Sequence, residues 1–171
     1  YTATIRPASG STNFITQGDP GSGAAVSLID LDGIDRLTID GRAGGVGASV
    51  WTFRNSRTAA TVGPTFRLLN DATNNTLTRL NIQGQNITAT SGTIFFNGTT
   101  GTLGNSNNTI SSCHIRENTV SGTMPLNHIY SVGTAGSPNL NNEIRNNEIY
   151  NNFVAASGGA SIWLGPDNAD C

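Results

Sequence analysis

Short stretches of alternating apolar and polar residues return along the chain at nearly constant intervals. Residues 74–82, 107–115 and 141–149 align without a gap, each beginning with an Asn pair and ending at an isoleucine. Residues 34–39 and 3–5 look like two further copies that lack the Asn pair. The final isoleucines are Ile5, Ile39, Ile82, Ile115 and Ile149. Their steps of 34, 43, 33 and 34 residues indicate an internal repeat.

A second set of apolar columns lies between these copies. Its first column comprises Ile29, Phe66, Ile94, Ile129 and Ile162. Two positions later, the next column comprises Leu31, Leu68, Phe96, Ser131 and Leu164. A weaker column follows the last three final isoleucines by five residues and comprises Ile87, Val120 and Val154. Short alternations bounded by Gly- and Asn-rich segments predict three short strands in each period.

The repeat also predicts how these strands pair. Each strand can stack in parallel and in register on the equivalent strand one period later, about 4.8 Å away. The apolar columns then become internal ladders, and Asn75, Asn108 and Asn142 form an amide ladder that faces outward or lines a turn. We therefore predict an all-β fold, a right-handed parallel β-helix of about five coils of ~33–34 residues with three parallel sheets.

The domain organisation follows from the same repeat. Residues 1–171 are predicted to form a single β-helix segment that is a fragment of a longer protein. The step of 43 residues indicates an insertion, which we assign to the Gly-rich residues 42–65 as a long loop within one coil. Two cysteines are too few for a disulfide framework. Cys113 lies in an apolar pattern and is predicted to be buried.

The composition agrees with a solenoid and excludes several classes of protein. Thr, Gly, Asn and Ser make up 79 of the 171 residues, which leaves too few helix formers for a coiled coil or a helical bundle. Charged residues are only 12% and the net charge is −2, so a non-specific nucleic-acid binder is not expected. All nine basic residues are arginine. No apolar run approaches the ~20 residues of a membrane helix.

Two phrases carry a family resemblance, NNTISSCHIREN at 107–118 and NNEIRNNEIYNN at 141–152. They resemble the right-handed parallel β-helix repeats of the pectate-lyase-like superfamily. With TIRPASG (4–10), DGIDRLTIDGR (32–42) and FRLLNDATNNT (66–76), the chain also resembles β-helix segments in large secreted proteins of gliding bacteria. The resemblance implies a secreted, cell-surface protein, an adhesin or cargo of the type IX secretion system. Because this fold hosts lyases, hydrolases, tailspikes and adhesins, the resemblance implies no single activity.

An outward row of aromatic residues is the sharpest candidate for ligand binding. Between the two main apolar columns, the outward positions are Asp30, Arg67, Phe95, Tyr130 and Trp163. Three aromatic residues on successive coils would form an exposed ladder, and sugar rings stack on exposed aromatic faces. We predict ligand binding by Phe95, Tyr130 and Trp163, with Arg67 at the edge of the row. The alternative is that a loop or a neighbouring domain covers the row.

A second patch offers acid–base chemistry. The outward positions beside the last two final isoleucines are His114, Arg116, Glu148 and Tyr150. His, Glu and Tyr can transfer protons, and Arg can stabilise an anion. The alternative function is therefore a polysaccharide lyase or glycoside hydrolase that acts on an acidic polysaccharide. The patch is also compatible with an ordinary solvated strand face, and the slightly acidic chain disfavours an acidic substrate.

Two aspartates offer a weak candidate for a metal site. Asp32 and Asp35, with backbone carbonyls, could hold a surface calcium ion, although the distal Glu of a helix–loop–helix calcium loop is missing. No other cofactor is predicted.

We predict an extracellular structural and recognition solenoid, a rigid stalk with a face for polysaccharide or a cell-surface glycan and no catalysis. Its other predicted partners are the rest of the parent chain or neighbouring coils. We expect neither nucleic-acid binding nor membrane insertion. A purely architectural stalk or filament is the third alternative.

Overall fold

The fold is a stack of parallel strands wound around one apolar interior. The structure is a computed structural model and describes residues 1–19, 26–57, 63–152 and 159–169. Three five-stranded parallel sheets run along the stack, and two further strands pair in parallel. The predicted all-β solenoid with three parallel sheets is confirmed, and its right-handed sense stays a prediction. No helix of the described residues is long and apolar enough to cross a membrane.

The strands are short and are numbered in chain order. They are β1 (Ala3–Ile5), β2 (Phe14–Gly18), β3 (Ile29–Asp32), β4 (Leu37–Asp40), β5 (Trp51–Asn55), β6 (Phe66–Leu69), β7 (Thr76–Thr78), β8 (Asn81–Gly84), β9 (Ile94–Phe96), β10 (Thr109–Ser111), β11 (His114–Glu117), β12 (Asn127–Ser131), β13 (Asn139–Leu140), β14 (Glu143–Arg145), β15 (Glu148–Ile149), β16 (Ala160–Leu164) and β17 (Asn168–Ala169). A single 3-10 turn among the described residues spans Ala43–Gly45.

We name the three large sheets A, B and C. Sheet A contains β1, β4, β7, β10 and β14, sheet B contains β2, β5, β8, β11 and β15, and sheet C contains β3, β6, β9, β12 and β16. The strands at one height of the stack form a level. Level 1 is β1–β3, level 2 is β4–β6, level 3 is β7–β9, level 4 is β10–β12 and level 5 is β14–β16. Strands β13 and β17 form the separate pair.

Sheet C has the register that the second set of apolar columns predicted. One ladder consists of Ile29, Phe66, Ile94, Ile129 and Ile162, and the other of Leu31, Leu68, Phe96, Ser131 and Leu164. Phe66, Ile94 and Ile129 are completely buried. Burial of each such side chain stabilises the fold by about 2 kcal/mol. The β-branched and aromatic side chains of these columns also favour the extended backbone.

The prediction that the final isoleucines form one ladder was wrong, because they belong to two different sheets. Ile39 pairs with Ile5 on one side and with Leu77 on the other, all in sheet A. Ile82 lies in sheet B, where it pairs with Phe53. The 43-residue step therefore compared residues of different strands, and the true neighbours along each sheet are more evenly spaced.

A bend inside the Asn motif separates sheets A and B. In level 4, Thr109–Ser111 belongs to sheet A and His114–Glu117 belongs to sheet B. Ser112 lies between them with a φ of 55°, and the equivalent residues Arg79 and Asn146 have φ values of 53° and 55°. One residue in the left-handed region bends the backbone and turns it from one sheet into the next. Each motif therefore supplies two strands, where the sequence pattern had suggested one.

The third predicted column lies in loops. Ile87 and Val120 stand in the connections from sheet B to sheet C, and both are exposed. Asn86 and Asn118 begin these connections, and each Oδ1 accepts a hydrogen bond from the backbone N–H two residues further on. Such a bond closes a turn, so the prediction of a strand here was wrong. Val154 lies outside the described residues.

The predicted insertion contains a strand of the solenoid. Trp51–Asn55 forms β5 in sheet B, and both Trp51 and Phe53 lie in the apolar core. The prediction that residues 42–65 form one long loop was therefore wrong for this part. Residues 58–62 lie outside the described residues.

The predicted amide ladder lines a turn from the inside. Asn75, Asn108 and Asn142 are buried, and each follows a residue with a positive φ. Asn75 Nδ2 donates to Asn108 Oδ1 over 3.0 Å, and Asn108 Nδ2 donates to Asn142 Oδ1 over 3.2 Å. The same two oxygens accept the backbone N–H groups of Asn75 and Asn108. The ladder thus satisfies backbone donors that the turn buries.

Cys113 is buried, as predicted, at the bend between sheets A and B. Its backbone N–H donates to Asn147 Oδ1 over 2.9 Å, one level away. Burial raises the pKa of the Cys113 thiol to about 11, so the thiol stays protonated and unreactive at neutral pH. Cys171 lies outside the described residues.

Candidate ligand-binding faces of sheets B and C

The outer face of sheet C carries the predicted aromatic row in register. The strand pairing places one residue of each level in this row, namely Asp30, Arg67, Phe95, Tyr130 and Trp163. The ring centroids of Phe95 and Tyr130 are 5.5 Å apart. Those of Tyr130 and Trp163 are 4.3 Å apart, and the two rings lie within 5° of parallel. The three aromatic side chains therefore form a continuous ladder.

Exposure within this aromatic row is uneven. Phe95 and Tyr130 are only 8% and 5% exposed, whereas Trp163 is 37% exposed. Levels of a parallel sheet are about 4.8 Å apart, close to the distance at which aromatic rings contact one another. Each ring therefore covers its neighbour. The prediction of an exposed ladder was wrong for Phe95 and Tyr130.

Arg67 lies at the edge of the row, as predicted, and is bound by a carboxylate. Its Nε donates to Asp30 Oδ1 over 2.8 Å, and its Nη2 donates to Asp30 Oδ2 over 2.7 Å. Two parallel bonds of this kind fix the plane of the guanidinium. Across the described levels, the row therefore runs from this charge pair to the stacked rings of Tyr130 and Trp163.

The outer face of sheet B brings together the four residues of the predicted acid–base patch. His114 lies opposite Glu148 in the strand register, and its Nδ1 is 3.0 Å from Glu148 Oε2. The Arg116 guanidinium lies over the Tyr150 ring, 5.0 Å from its centroid. The side chains of His114 and Glu148 are 42% and 71% exposed. The patch is thus open to solvent, and its polar groups contact one another in pairs.

Arg116 is bound by a carboxylate that the sequence pattern missed. Its Nη2 donates to Glu117 Oε1 over 2.7 Å, and Asn151 Nδ2 donates to Glu117 Oε2 over 2.9 Å. Burial by itself would raise the pKa of Glu117, but these hydrogen bonds outweigh it and hold the pKa below its ordinary value. Glu117 is therefore ionised at neutral pH and neutralises the charge that a developing anion would use. It was missed because strict alternation assigns the residue after Arg116 to the interior.

The repeat alignment missed two levels of the sheet B face, because Ile5 and Ile39, which it aligned with Ile82, lie on sheet A. The residues beside the first two final isoleucines lie on sheet A, and the row of Arg116 continues instead through Gln83 and Arg54. Arg54 was missed because residues 42–65 were predicted to be a loop. The signal was present in Trp51–Asn55, where apolar and polar side chains alternate as they do in a strand.

His128 is completely buried at the corner between sheets B and C. Its Nε2 is 2.7 Å from the Tyr150 carbonyl oxygen, and its Nδ1 is 3.4 Å from Thr93 Oγ1. A carbonyl only accepts hydrogen bonds, so Nε2 carries the proton and the neutral ring holds the backbone of Tyr150. Burial lowers the pKa of His128 to about 4, although the nearby Glu117 carboxylate acts to raise it. His128 therefore joins level 4 to level 5 as a neutral group.

The aspartates of the predicted calcium site form bonds between levels. Asp32 Oδ1 accepts a hydrogen bond from Asn70 over 2.8 Å. Asp35 Oδ1 accepts bonds from Asn74 over 2.9 Å and from Thr73 over 3.1 Å, and the bond from Asn74 is the main cause of the lowered pKa of Asp35. Within the described ranges, no group of three or more His, Cys, Asp or Glu side chains could hold a metal ion. The two aspartates thus take part in contacts between levels, and a calcium ion held by them and by backbone carbonyls stays a prediction.

No family model matches this sequence, and comparisons with curated proteins and with solved structures give no match either. The case for a function therefore depends on the solenoid fold and on the geometry of the outer faces of sheets B and C.

Proposed function

We propose that this chain is an extracellular recognition solenoid, a stiff rod that binds a polysaccharide or cell-surface glycan and catalyses no reaction. The observation that carries the proposal is the stack of Trp163 on Tyr130 at 4.3 Å on the outer face of sheet C. A large apolar ring that is held rigidly at the surface is the kind of group on which a sugar ring packs.

The regular stack supports binding to an extended polymer. Side chains of one row repeat at about 4.8 Å, and strand pairing holds them in fixed positions. A polymer that lies along the stack can contact several levels at once, and each further contact is then an intramolecular event. Recognition by several weak contacts therefore suits this fold better than a deep pocket does.

The cellular setting belongs to the same proposal. The phrases at residues 107–118 and 141–152 resemble repeats of the pectate-lyase-like superfamily. The chain as a whole resembles adhesin-like secreted proteins of gliding bacteria. These resemblances favour a place at the cell surface, reached through the type IX secretion system, where a stalk meets glycans.

Replacement of Trp163 tests the proposed face. Trp163→Ala is expected to weaken binding to the recognised polysaccharide roughly tenfold, because the apolar stacking surface is lost. Affinity electrophoresis through gels that contain neutral or acidic polysaccharides measures this change. Tyr1→Ala removes a different exposed aromatic side chain and should leave migration unchanged. Equal retention of Trp163→Ala and the unmodified chain on every polymer would contradict binding at this face.

A lyase or hydrolase is the second candidate, favoured by the contacts of His114 with Glu148 and of Arg116 with Tyr150. It predicts the release of unsaturated or reducing ends from an acidic polysaccharide, and the loss of that release in His114→Ala. The recognition function predicts retention without such products. An architectural stalk predicts neither retention nor products.

A further inference from the structure

Arg54, on the outer face of sheet B, has an unusual set of partners for an arginine of this chain. Six of the nine arginines pair with a carboxylate in the part of the chain that the structure describes. The hydrogen bonds of Arg54 to described side chains go to neutral oxygens: Nε donates to Gln83 Oε1 over 2.7 Å, Nη1 to Gln17 Oε1 over 3.2 Å and Nη2 to Thr119 Oγ1 over 3.4 Å. The guanidinium is thus oriented by these contacts without being neutralised by them.

The three acceptors come from three other levels and hold the guanidinium in one orientation. Gln17 belongs to level 1 and Gln83 to level 3, while Thr119 follows the sheet B strand of level 4. Thr119 Oγ1 also donates to Gln83 Oε1 over 3.2 Å, which braces the arrangement. Three of the five guanidinium N–H groups are used in this way. The others remain on a planar fork whose side-chain freedom is already reduced.

The outer end of this guanidinium faces solvent. Gln83 is buried beneath it, whereas the contacts of Arg54 Nη1 and Nη2 lie at the exposed side of the face. Arg116, which lies in the same row as Arg54, already binds the carboxylate of Glu117. An anion that approaches from solvent therefore meets a fixed positive charge beside neutral amide and hydroxyl groups.

We propose that Arg54, supported by Gln17, Gln83 and Thr119, binds an oxyanion, the carboxylate or sulfate group of an acidic glycan. Both groups accept two parallel hydrogen bonds from a guanidinium, and a guanidinium that is already oriented loses less freedom on binding. The kind of polymer rests on the proposed glycan-binding function. The site itself is independent of Trp163, which lies on sheet C, so the two faces can be tested separately.

The experiment compares three polymers with one backbone: dextran, carboxymethyl dextran and dextran sulfate. Affinity electrophoresis of the unmodified chain is expected to show stronger retardation by one or both charged polymers than by dextran. Arg54→Gln should lower the affinity for the retarding polymer roughly tenfold and leave the mobility in dextran, relative to a polymer-free gel, unchanged. Arg54→Lys keeps the charge but loses the planar pair of donors, so its affinity should lie between those of the unmodified chain and Arg54→Gln. Arg79→Gln removes the same charge from an exposed bend and is the matched control.

The outcomes separate this site from the aromatic face. A loss in Arg54→Gln that the Arg79→Gln control does not show would assign the site, and the polymer affected would identify carboxylate or sulfate as its ligand. Equal losses in both variants would mean attraction by net charge alone and would overturn the proposal, as would equal migration of the unmodified chain in all three polymers. Failure of the proposed function would be seen in a different variant: Trp163→Ala would be retained by the polysaccharides as strongly as the unmodified chain. Thermal unfolding of Arg54→Gln and Arg54→Lys checks that both variants fold.

Discussion

Asn108→Ala is expected to lower the free energy of unfolding by about 3 kcal/mol, because it leaves buried donors without acceptors. Asn108 Oδ1 accepts both the backbone N–H and the Nδ2 of Asn75, each over 3.0 Å. Asn108 Nδ2 donates to the Ala72 carbonyl over 2.8 Å. Alanine removes all of these bonds inside a turn where water has little access. Urea unfolding followed by tryptophan fluorescence measures the loss.

Two further variants separate the amide ladder from general effects of substitution. Asn81→Ala changes the same residue type on the outer row of sheet B, where a change of at most about 0.5 kcal/mol is expected. Asn108→Asp keeps the accepting oxygen but directs a second acceptor at the Ala72 carbonyl, so it should be at least as destabilising as alanine at neutral pH. An equal loss in the free energy of unfolding for Asn108→Ala and Asn81→Ala would contradict a stabilising role of the amide ladder.

Acidification from pH 7 to pH 4 is expected to remove about 3 kcal/mol of stability through His128 alone. The pKa of His128 in the folded chain is about 4, below the ordinary value of 6.5, because the ring is buried. Above pH 6.5 both the folded and the unfolded chain carry a neutral ring, and stability does not depend on this group. Between pH 6.5 and about 4 only the unfolded chain binds the proton, so the unfolded state gains.

Two carboxyl groups with lowered pKa values affect stability only at lower pH. Hydrogen bonds outweigh burial for Asp71 and Glu117 and hold the pKa of each below its ordinary value. Their contributions are present above the unfolded pKa and are lost as pH falls below about 4.5. The interval from pH 6.5 to 4.5 therefore isolates the contribution of His128.

His128→Gln tests this assignment. A glutamine amide can still donate to the Tyr150 carbonyl but does not titrate, so stability should be nearly constant from pH 6.5 to 4.5. The exposed His114 provides the control, because His114→Gln should keep the steep loss of the unmodified chain. Urea unfolding at pH 7, 5.5 and 4.5 gives the comparison. A loss as steep in His128→Gln as in the unmodified chain would show that another group causes the acid sensitivity.

Sheet C could be predicted from the sequence because its pattern is complete at every level. At each level an apolar residue begins the pattern, a polar or aromatic residue follows and a second, mostly apolar position comes next, as in Ile94–Phe96 and Ile129–Ser131. Strand alternation depends only on the local backbone. The pairing of equivalent strands then follows from the repeat, and the structure has that register.

The bend between sheets A and B could not be predicted in the same way. The left-handed position is occupied by Arg79, Ser112 and Asn146, and of these only asparagine commonly favours a positive φ. The two strands around the bend therefore look like one alternating segment. In the first two levels this led to alignment of sheet A residues with sheet B residues, and Arg54 was hidden within a predicted loop.

The sequence by itself determined the solenoid, the repeat length and the membership of the aromatic row, because alternation and repetition are local properties of the chain. Only the tertiary structure decided which of these side chains reach solvent. Phe95 and Tyr130 point outward yet are buried, because neighbouring levels stand close enough for the rings to cover one another. The tertiary structure also decided which charges are neutralised, because the partners of Arg54 and Arg116 depend on where the strands and connections of other levels come to lie.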